Sequence, residues 1–247
     1  ELNEFRNRVF TGEPLLKEKV AKGFQMLYVR HDNNGYGGGH NVALREAIAL
    51  GAKYHLVVNP DIWFGPRVIP GLVEYMDRHD DVAQMMPKVL YPNGQIQCLA
   101  KMLPTPLDMF GRLCLPKFLI NRRNRRFELE DSEFRMVLNV PYLSGCFMFF
   151  RVSAMEEIGL FDEHFFMYAE DIDVTRRLHE KYQTIYYPHL PVYHKFSRAS
   201  HRSLRLFLIH IYNIIMYFRK WGWFSDRKRK EYNDRLAAQI ADGGIKD

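Results

Sequence analysis

Cysteine is scarce in this chain. Cys98, Cys114 and Cys146 are an odd set without the paired spacing of a zinc or iron–sulfur site. That excludes a disulfide-stapled scaffold and a cysteine metal centre, and predicts reduced thiols in a cytosolic setting. No Gly-Lys-Ser or Gly-Lys-Thr follows a glycine run, which excludes a P-loop nucleotidase, and the spacing of the glycines is not that of a dinucleotide fingerprint. There is no internal repeat and no long low-complexity stretch, which excludes a repeat array. The opening residues from Glu1 do not read as a signal peptide. A clean run of about 20 apolar residues, the length of a spanning helix, is also lacking. The apolar, aromatic stretch from Leu204 to Phe224 is interrupted by Arg205, His210, Asn213, Arg219 and Lys220.

What is present suits a folded α/β chain. Its 247 residues, 47% hydrophobic and 26% charged, can bury a core without staples and fit one domain, or one with an appendage. Lys and Arg number 35 against 29 Asp and Glu, a net charge of +6. Such a balance favours anionic partners: nucleotide phosphates, nucleic acid or acidic lipid headgroups.

Along the chain, helices are predicted at Leu15–Lys22, Asn41–Leu50, Pro66–Arg78 and Ser153–Ile158, with another starting near Ala169. Asn41 is the expected N-cap of the second, and Gly51 its stop. Strands are predicted at Phe24–Val29, Tyr54–Val58, Val82–Leu90, Gln95–Leu99 and Leu143–Arg151, with two short ones around Ile185 and Val192. This alternation implies a mostly parallel sheet flanked by helices. Met102 to Leu138 breaks the rhythm and reads as a long irregular loop carrying Arg122, Arg123, Arg125 and Arg126.

Four segments can carry chemistry. Asn59-Pro60-Asp61 ends an apolar strand, where open α/β sheets bind ligands. One Asp there can hold Mg²⁺ or Mn²⁺, although Asn-Pro-Asp is also simply a turn signal. Asn33 to Asn41 holds four glycines, Gly35, Gly37, Gly38 and Gly39. They let backbone approach a ligand closely, or serve only a tight strand-to-helix turn. Gly159 to Asp173 places aromatics before Glu170, Asp171 and Asp173 at a helix start. Acids there complement the helix dipole, and Asp173 can pair with Arg177. A partly desolvated carboxylate in such a place also suits a general base. Finally, His194 closes a strand, as a satisfied structural residue or as a metal ligand.

In this order, these segments resemble glycosyltransferase family 2, and within it the bacterial rhamnosyltransferase-like branch of surface polysaccharide assembly. The residues that carry the resemblance are Asn33 to Asn41, Asn59-Pro60-Asp61, Ser144 to Arg151, Gly159 to Asp173, and His194 with Ser197 and Ser200. The resemblance implies a GT-A fold over about residues 24–224, so 1–201 is expected to be the catalytic domain and 202–247 a helical C-terminal segment. It implies that Asp61 is the surviving acid of a DXD-type site, with His194 as second metal or diphosphate contact and Mg²⁺ or Mn²⁺ as cofactor. Asp171 is expected to be the catalytic base, with Glu170 at a sugar hydroxyl and Gly145 facing donor sugar and acceptor. Asn33, Gly35, Gly38, Asn41 and Asn59 join Asp61 as donor-binding candidates. The strands that family members use for the nucleotide base, ending in Thr-Tyr-Asn and Asp-Asn-x-Ser, are not found here.

The expected reaction is therefore inverting transfer of a sugar, rhamnose in that branch, from a nucleotide-diphosphate donor to a glycan or lipid-linked acceptor. The expected place is the cytoplasm, soluble or peripheral on the inner membrane's cytoplasmic face. There Leu204–Phe224 is either a helix buried against the domain or an interfacial one, with Trp221, Trp223 and the basic run Arg227 to Lys230 at anionic headgroups. Nucleic acid is not an expected partner. The rivals are a nucleotidyltransferase, which would bring Lys or Arg into the glycine-rich loop, and a non-catalytic basic module, which would need neither Asp61 nor Asp171.

Overall fold

A computed structural model describes residues 29–195 and 203–245. The helix expected at Leu15–Lys22 lies outside them, as does the strand at Phe24–Val29 except for Val29, which has no regular structure. Ser197 and Ser200 are likewise outside. The chain divides into two compact units, Glu1–Asn33 and Asn34–Asp247. The described residues of the first, 29–33, form neither helix nor strand. All the elements below belong to the second.

These are α1 (Gly35–Ala49), β1 (Tyr54–Val58), β2 (Ile62–Trp63), α2 (Val68–Arg78), β3 (Val82–Leu90), β4 (Ala100–Lys101), α3 (Pro106–Cys114) and α4 (Lys117–Phe127). After a short 3-10 turn follow β5 (Leu138–Asn139), β6 (Tyr142–Leu143), β7 (Phe147–Arg151), α5 (Val152–Ile158), α6 (Glu170–His179), β8 (Gln183–His194), α7 (Leu204–Trp221) and α8 (Arg227–Ala241). The central sheet runs β1-β7-β3-β8-β2, with β5 paired to β8, while β4 and β6 form a separate ribbon. Its β7 strand is buried along its whole length, and β3 nearly so, because helices cover both faces. The layering is as predicted, but the sheet is mixed. Among the described strands only β3 and β8 pair in parallel; β1–β7, β3–β7, β2–β8 and β5–β8 are antiparallel.

Four local predictions are corrected. The glycine-rich segment is not a loop: α1 begins at Gly35, and Asn41 lies buried inside it rather than capping it. The stretch Met102–Leu138 is largely helical. Thr105 caps α3 in a reciprocal box with Asp108, and Pro106 occupies the first turn. Arg123 of α4 bonds Asp108 and Thr105, so this arginine ties two helices together. The two strands around Ile185 and Val192 are one strand, β8. Its pairing with β3 jumps from Pro87↔Tyr187 to Val89↔Val192, so Pro188 and Pro191, which have no N–H to offer a ladder, sit in the bulge. Gln95–Leu99 makes only an isolated bridge through Ile96.

The segment after residue 202 shares the core of the compact unit. Ile214, Tyr217 and Phe218 of α7 and Tyr232 of α8 pack on Leu103, Phe165, Ala169 and Ile172. Arg176 of α6 makes two hydrogen bonds of 2.7 and 2.8 Å to Asp226 at the start of α8, in a nearly dry setting. Trp221 donates to Asp173 and Trp223 stacks on Phe110. Arg229 is buried against backbone carbonyls, while Lys228 pairs with Glu180 and Lys230 with Asp234. The tryptophans and basic run expected at headgroups are therefore largely engaged within the protein. No described helix is long and apolar enough to cross a membrane.

Candidate active site

Helix α6 opens with its three acids, and the structure gives each a different setting. Asp173 is fully buried and bonds Arg177, Lys220 and Trp221, so it is structural, as its pairing with Arg177 predicted. Asp171 points the other way. Its Oδ2 accepts from the Gly145 N–H at 2.9 Å and its Oδ1 from the Ile172 N–H at 2.8 Å. Glu170 accepts from the Ala169 N–H at 2.9 Å. Burial raises the proton affinity of both Glu170 and Asp171. Glu170 is pushed up to about 8, first by desolvation and then by the charge of Asp171. Both carboxylates accept backbone amides, and the charge on Asp171 is a further cause of the rise at Glu170, so a proton held by the pair is drawn toward Glu170. Two adjacent acids so separated are the arrangement expected of a base and its neutral neighbour.

The loop that delivers them is under backbone constraint. Tyr168 has φ of +84°, a left-handed value costly for a bulky residue. It is held there by α7: Asn213 donates to the Met167 carbonyl at 2.7 Å, and His210 stacks on Tyr168 with centroids 4.8 Å apart. On the other side α1 presses close. A Cβ at Gly35 would lie 2.3 Å from the Phe166 carbonyl oxygen, and Gly35 itself has φ of +85°. A Cβ at Gly37 would lie 2.9 Å from Phe161. The glycines thus let a helix pack on the loop that leads into Glu170 and Asp171.

Asn41 serves the same end. Its amide donates to the Phe161 carbonyl and Glu163, and its oxygen accepts from the Phe161 N–H. Buried and engaged at both ends, it braces the loop. Gly38 is also a buried packing position, with Asn34 Cβ 2.9 Å from where its own would be. Asn33 belongs to the N-terminal unit.

The second cluster sits at the end of β1 and β8. Pairing of Ile62 with His194, and the bond from the Lys195 N–H to the Asp61 carbonyl, bring Asp61 beside His194. Asp61 Oδ1 lies 3.3 Å from His194 Nε2; the carboxylate is 37% exposed and the imidazole 4%. On its other side His194 meets Gln97, a residue to which sequence analysis assigned no role. Burial lowers the proton affinity of His194, and the nearby Asp61 charge opposes that.

One side chain joins the clusters. The Tyr36 hydroxyl lies 2.5 Å from the Gly145 carbonyl and 3.4 Å from Asn59 Oδ1. A path therefore runs from the Asn59-Pro60-Asp61 turn through Tyr36 and Gly145 to Asp171. Burial and the Asp171 charge hold the Tyr36 phenol well above its usual range, so it stays a neutral donor. Cys146, adjacent to this path, is buried and pushed up to about 12, which leaves an inert thiol. Asn59, Asp61, Gly145, Glu170, Asp171 and His194 thus fall into two linked clusters. The cavity of about 300 Å³ lined by Arg123, Arg126, Asp226 and Arg229 is elsewhere and contains none of them.

A GT-A glycosyltransferase is the class that this fold and paired arrangement define. The model of the family described as "Glycosyltransferase like family 2" matches residues 20–211, and the chain belongs to that family. It is 30% identical, over 153 residues, to an N-acetylglucosaminyl-diphospho-decaprenol L-rhamnosyltransferase from two strains of Mycobacterium tuberculosis; the match covers 60% of this chain. The chain spans about half, 48%, of the length of those relatives. Among solved structures it is similar to GalNAc-T7, crystallised with UDP, GalNAc and Mn²⁺. That match has a TM-score of 0.57 and 12% identity, and covers 97% of this chain and 42% of that one.

Proposed function

We propose that this chain carries out inverting transfer of a sugar from a nucleotide-diphosphate donor to an acceptor hydroxyl, with Asp171 as general base. The observation that carries the reading is the separation of roles at α6. Asp171 is buried, oriented by the Gly145 and Ile172 amides, and flanked by Glu170, whose proton affinity burial raises. It takes the proton of the acceptor hydroxyl as that oxygen attacks the anomeric carbon, and the diphosphate leaves from the opposite face. Glu170, carrying its proton, offers a donor to a sugar hydroxyl.

Asp61 and His194 fit a divalent cation. They offer a hard carboxylate oxygen and an imidazole nitrogen in one place, and the described residues form no cluster of three His, Cys, Asp or Glu. Such a two-ligand site leaves coordination positions for diphosphate oxygens and water. When bound, Mg²⁺ or Mn²⁺ would supply charge stabilisation to the departing diphosphate. The presence of Mn²⁺ and UDP in the GalNAc-T7 crystals agrees with this donor set.

The relatives' name supports rhamnose as the sugar and a lipid-linked diphosphate sugar as the acceptor. A place at a membrane surface is in keeping with that acceptor. The N-terminal half of α7 exposes Leu204, Phe207, Leu208 and Tyr212, on the helix whose His210 stacks on Tyr168. Co-sedimentation with anionic vesicles tests this part: Leu204→Ser with Leu208→Ser should weaken it, and equal sedimentation of parent and variant would sink it. Transfer from a panel of nucleotide sugars, with Mn²⁺ and lipid-linked diphosphate sugar acceptors, tests the activity. A folded protein that transfers nothing from any donor would overturn it.

A further inference from the structure

Gln97 lies in the segment after β3 and is 5% exposed. Its Nε2 is 2.8 Å from the His194 carbonyl oxygen and 3.5 Å from that of Leu90. Carbonyl oxygens only accept, so the atom facing them is the amide NH₂. The amide oxygen then faces Nδ1 of His194, at 2.9 Å. That oxygen can only accept, so Nδ1 carries the proton. A neutral imidazole has a single N–H, which makes Nε2 the nitrogen with the lone pair. It is this nitrogen that lies 3.3 Å from Asp61 Oδ1. The Gln97 backbone is also held, its N–H donating to Val89 and its carbonyl accepting from Leu99, both at 2.9 Å.

We propose that Gln97 is a positioning residue for the cation site, fixing the ring orientation and tautomer of His194 so that the Nε2 lone pair is presented beside the Asp61 carboxylate. Outer partners of metal-binding imidazoles commonly perform this task, and an amide does it without adding charge. The proposal rests on the reading of Asp61 and His194 as metal ligands. A residue that only filled space beneath β8 would be replaceable by a side chain of similar size.

The test uses ring ¹⁵N spectra of the metal-free protein, and titration with Mn²⁺ alone followed by electron paramagnetic resonance. The parent should show His194 protonated on Nδ1 and not on Nε2. Gln97→Leu should lose that preference and bind Mn²⁺ about 10–100-fold more weakly. Gln97→Glu with its carboxyl protonated, the O–H replacing the amide donor toward the His194 carbonyl, can still accept from Nδ1 and should keep both the tautomer and the Mn²⁺ affinity. In a His194→Ala background, Gln97→Leu should add no further loss. Parent spectra with the proton on Nε2, parent-like Mn²⁺ affinity in Gln97→Leu, or a further loss without His194 would each overturn the proposal. If His194→Ala alone binds Mn²⁺ as the parent does, the metal-ligand reading fails, while the spectra still report on Gln97. Should Gln97→Leu not fold, the parent spectrum and Gln97→Glu decide: loss of the Nδ1 proton in Gln97→Glu rejects it.

Discussion

The Asp61–His194 pair and the Glu170–Asp171 pair lie on either side of Tyr36 and Gly145 and are built in opposite ways. Asp61 sits on a turn at a sheet edge with its carboxylate 37% exposed. Glu170 and Asp171 open a helix, are at most 9% exposed, and bond backbone amides. An open carboxylate is suited to a ligand that arrives from solvent and leaves again. A closed pair is suited to holding and exchanging a proton, because desolvation makes the charged form costly and brings its proton affinity toward neutral pH. Deprotonating an acceptor and neutralising a leaving diphosphate are different tasks. The two settings suit the division of tasks we propose.

The largest effect should come from setting one end against the other. Asp171→Asn keeps shape but cannot take a proton, so transfer should fall by about 10²–10⁴-fold, with Mn²⁺-dependent donor binding close to the parent's. Asp61→Ala should do the reverse and remove Mn²⁺-dependent donor binding first. Turnover and donor titration on both variants read the comparison directly. If Asp171→Asn turns over normally, the division of tasks is wrong.

Much of the candidate site was legible because its residues sit where local chemistry leaves a mark. Asn59-Pro60-Asp61 follows an apolar strand, and the acids of α6 follow an aromatic run; neither needs knowledge of distant contacts. The glycines were legible as a motif but not in their task. That the Gly35 and Gly37 positions abut Phe166 and Phe161 depends on packing more than a hundred residues away in sequence. The same is true of Asn41, whose apparent capping position conceals a buried brace. Helix α3 was marked by Thr105-Pro106-Leu107-Asp108, a capping signature masked by the prolines and arginines of that stretch. The mixed sheet could not be read from alternation of elements, since strand direction is set by connections. Gln97 had no sequence signal: an isolated glutamine becomes informative only when both ends of its amide are seen.

A second effect sharpens the contrast within α6. Asp173, two residues from Asp171, is also buried, but its partners Arg177, Lys220 and Trp221 compensate its charge. Asp173→Ala would strand these groups and should cost about 3–5 kcal/mol of stability, the usual range for breaking a buried pair. The partly exposed Lys220 and Arg177 place it toward the lower end. Denaturant unfolding measures it. A fully stable Asp173→Ala with abolished transfer would instead move the base to that position.

The smallest effect is a dependence of stability on pH. Glu170 is near its ordinary value in the unfolded chain and at about 8 in the fold, chiefly through desolvation. The folded state therefore binds this proton more tightly. Its contribution to stability is complete below the unfolded value and is lost as pH rises through about 8. Acid denaturation through other carboxylates acts at lower pH and in the opposite sense, so the two are separable. Between about pH 5 and pH 7 His40, His55, His179 and His194, whose proton affinities burial lowers, act in the opposite sense, so the loss due to Glu170 should show between about pH 7 and pH 8, at a slope of up to about 1.4 kcal/mol per pH unit for one proton. Glu170→Gln, permanently neutral, should flatten that slope while keeping the Ala169 contact. Asp61→Asn acts through His194, whose proton affinity burial lowers, and should therefore leave the slope above about pH 7 unchanged. Unfolding curves across this range for the three proteins decide the matter. A parent-like slope in Glu170→Gln would mean that Glu170 is ionised in the fold, and the assignment of proton and charge between it and Asp171 would have to be reversed.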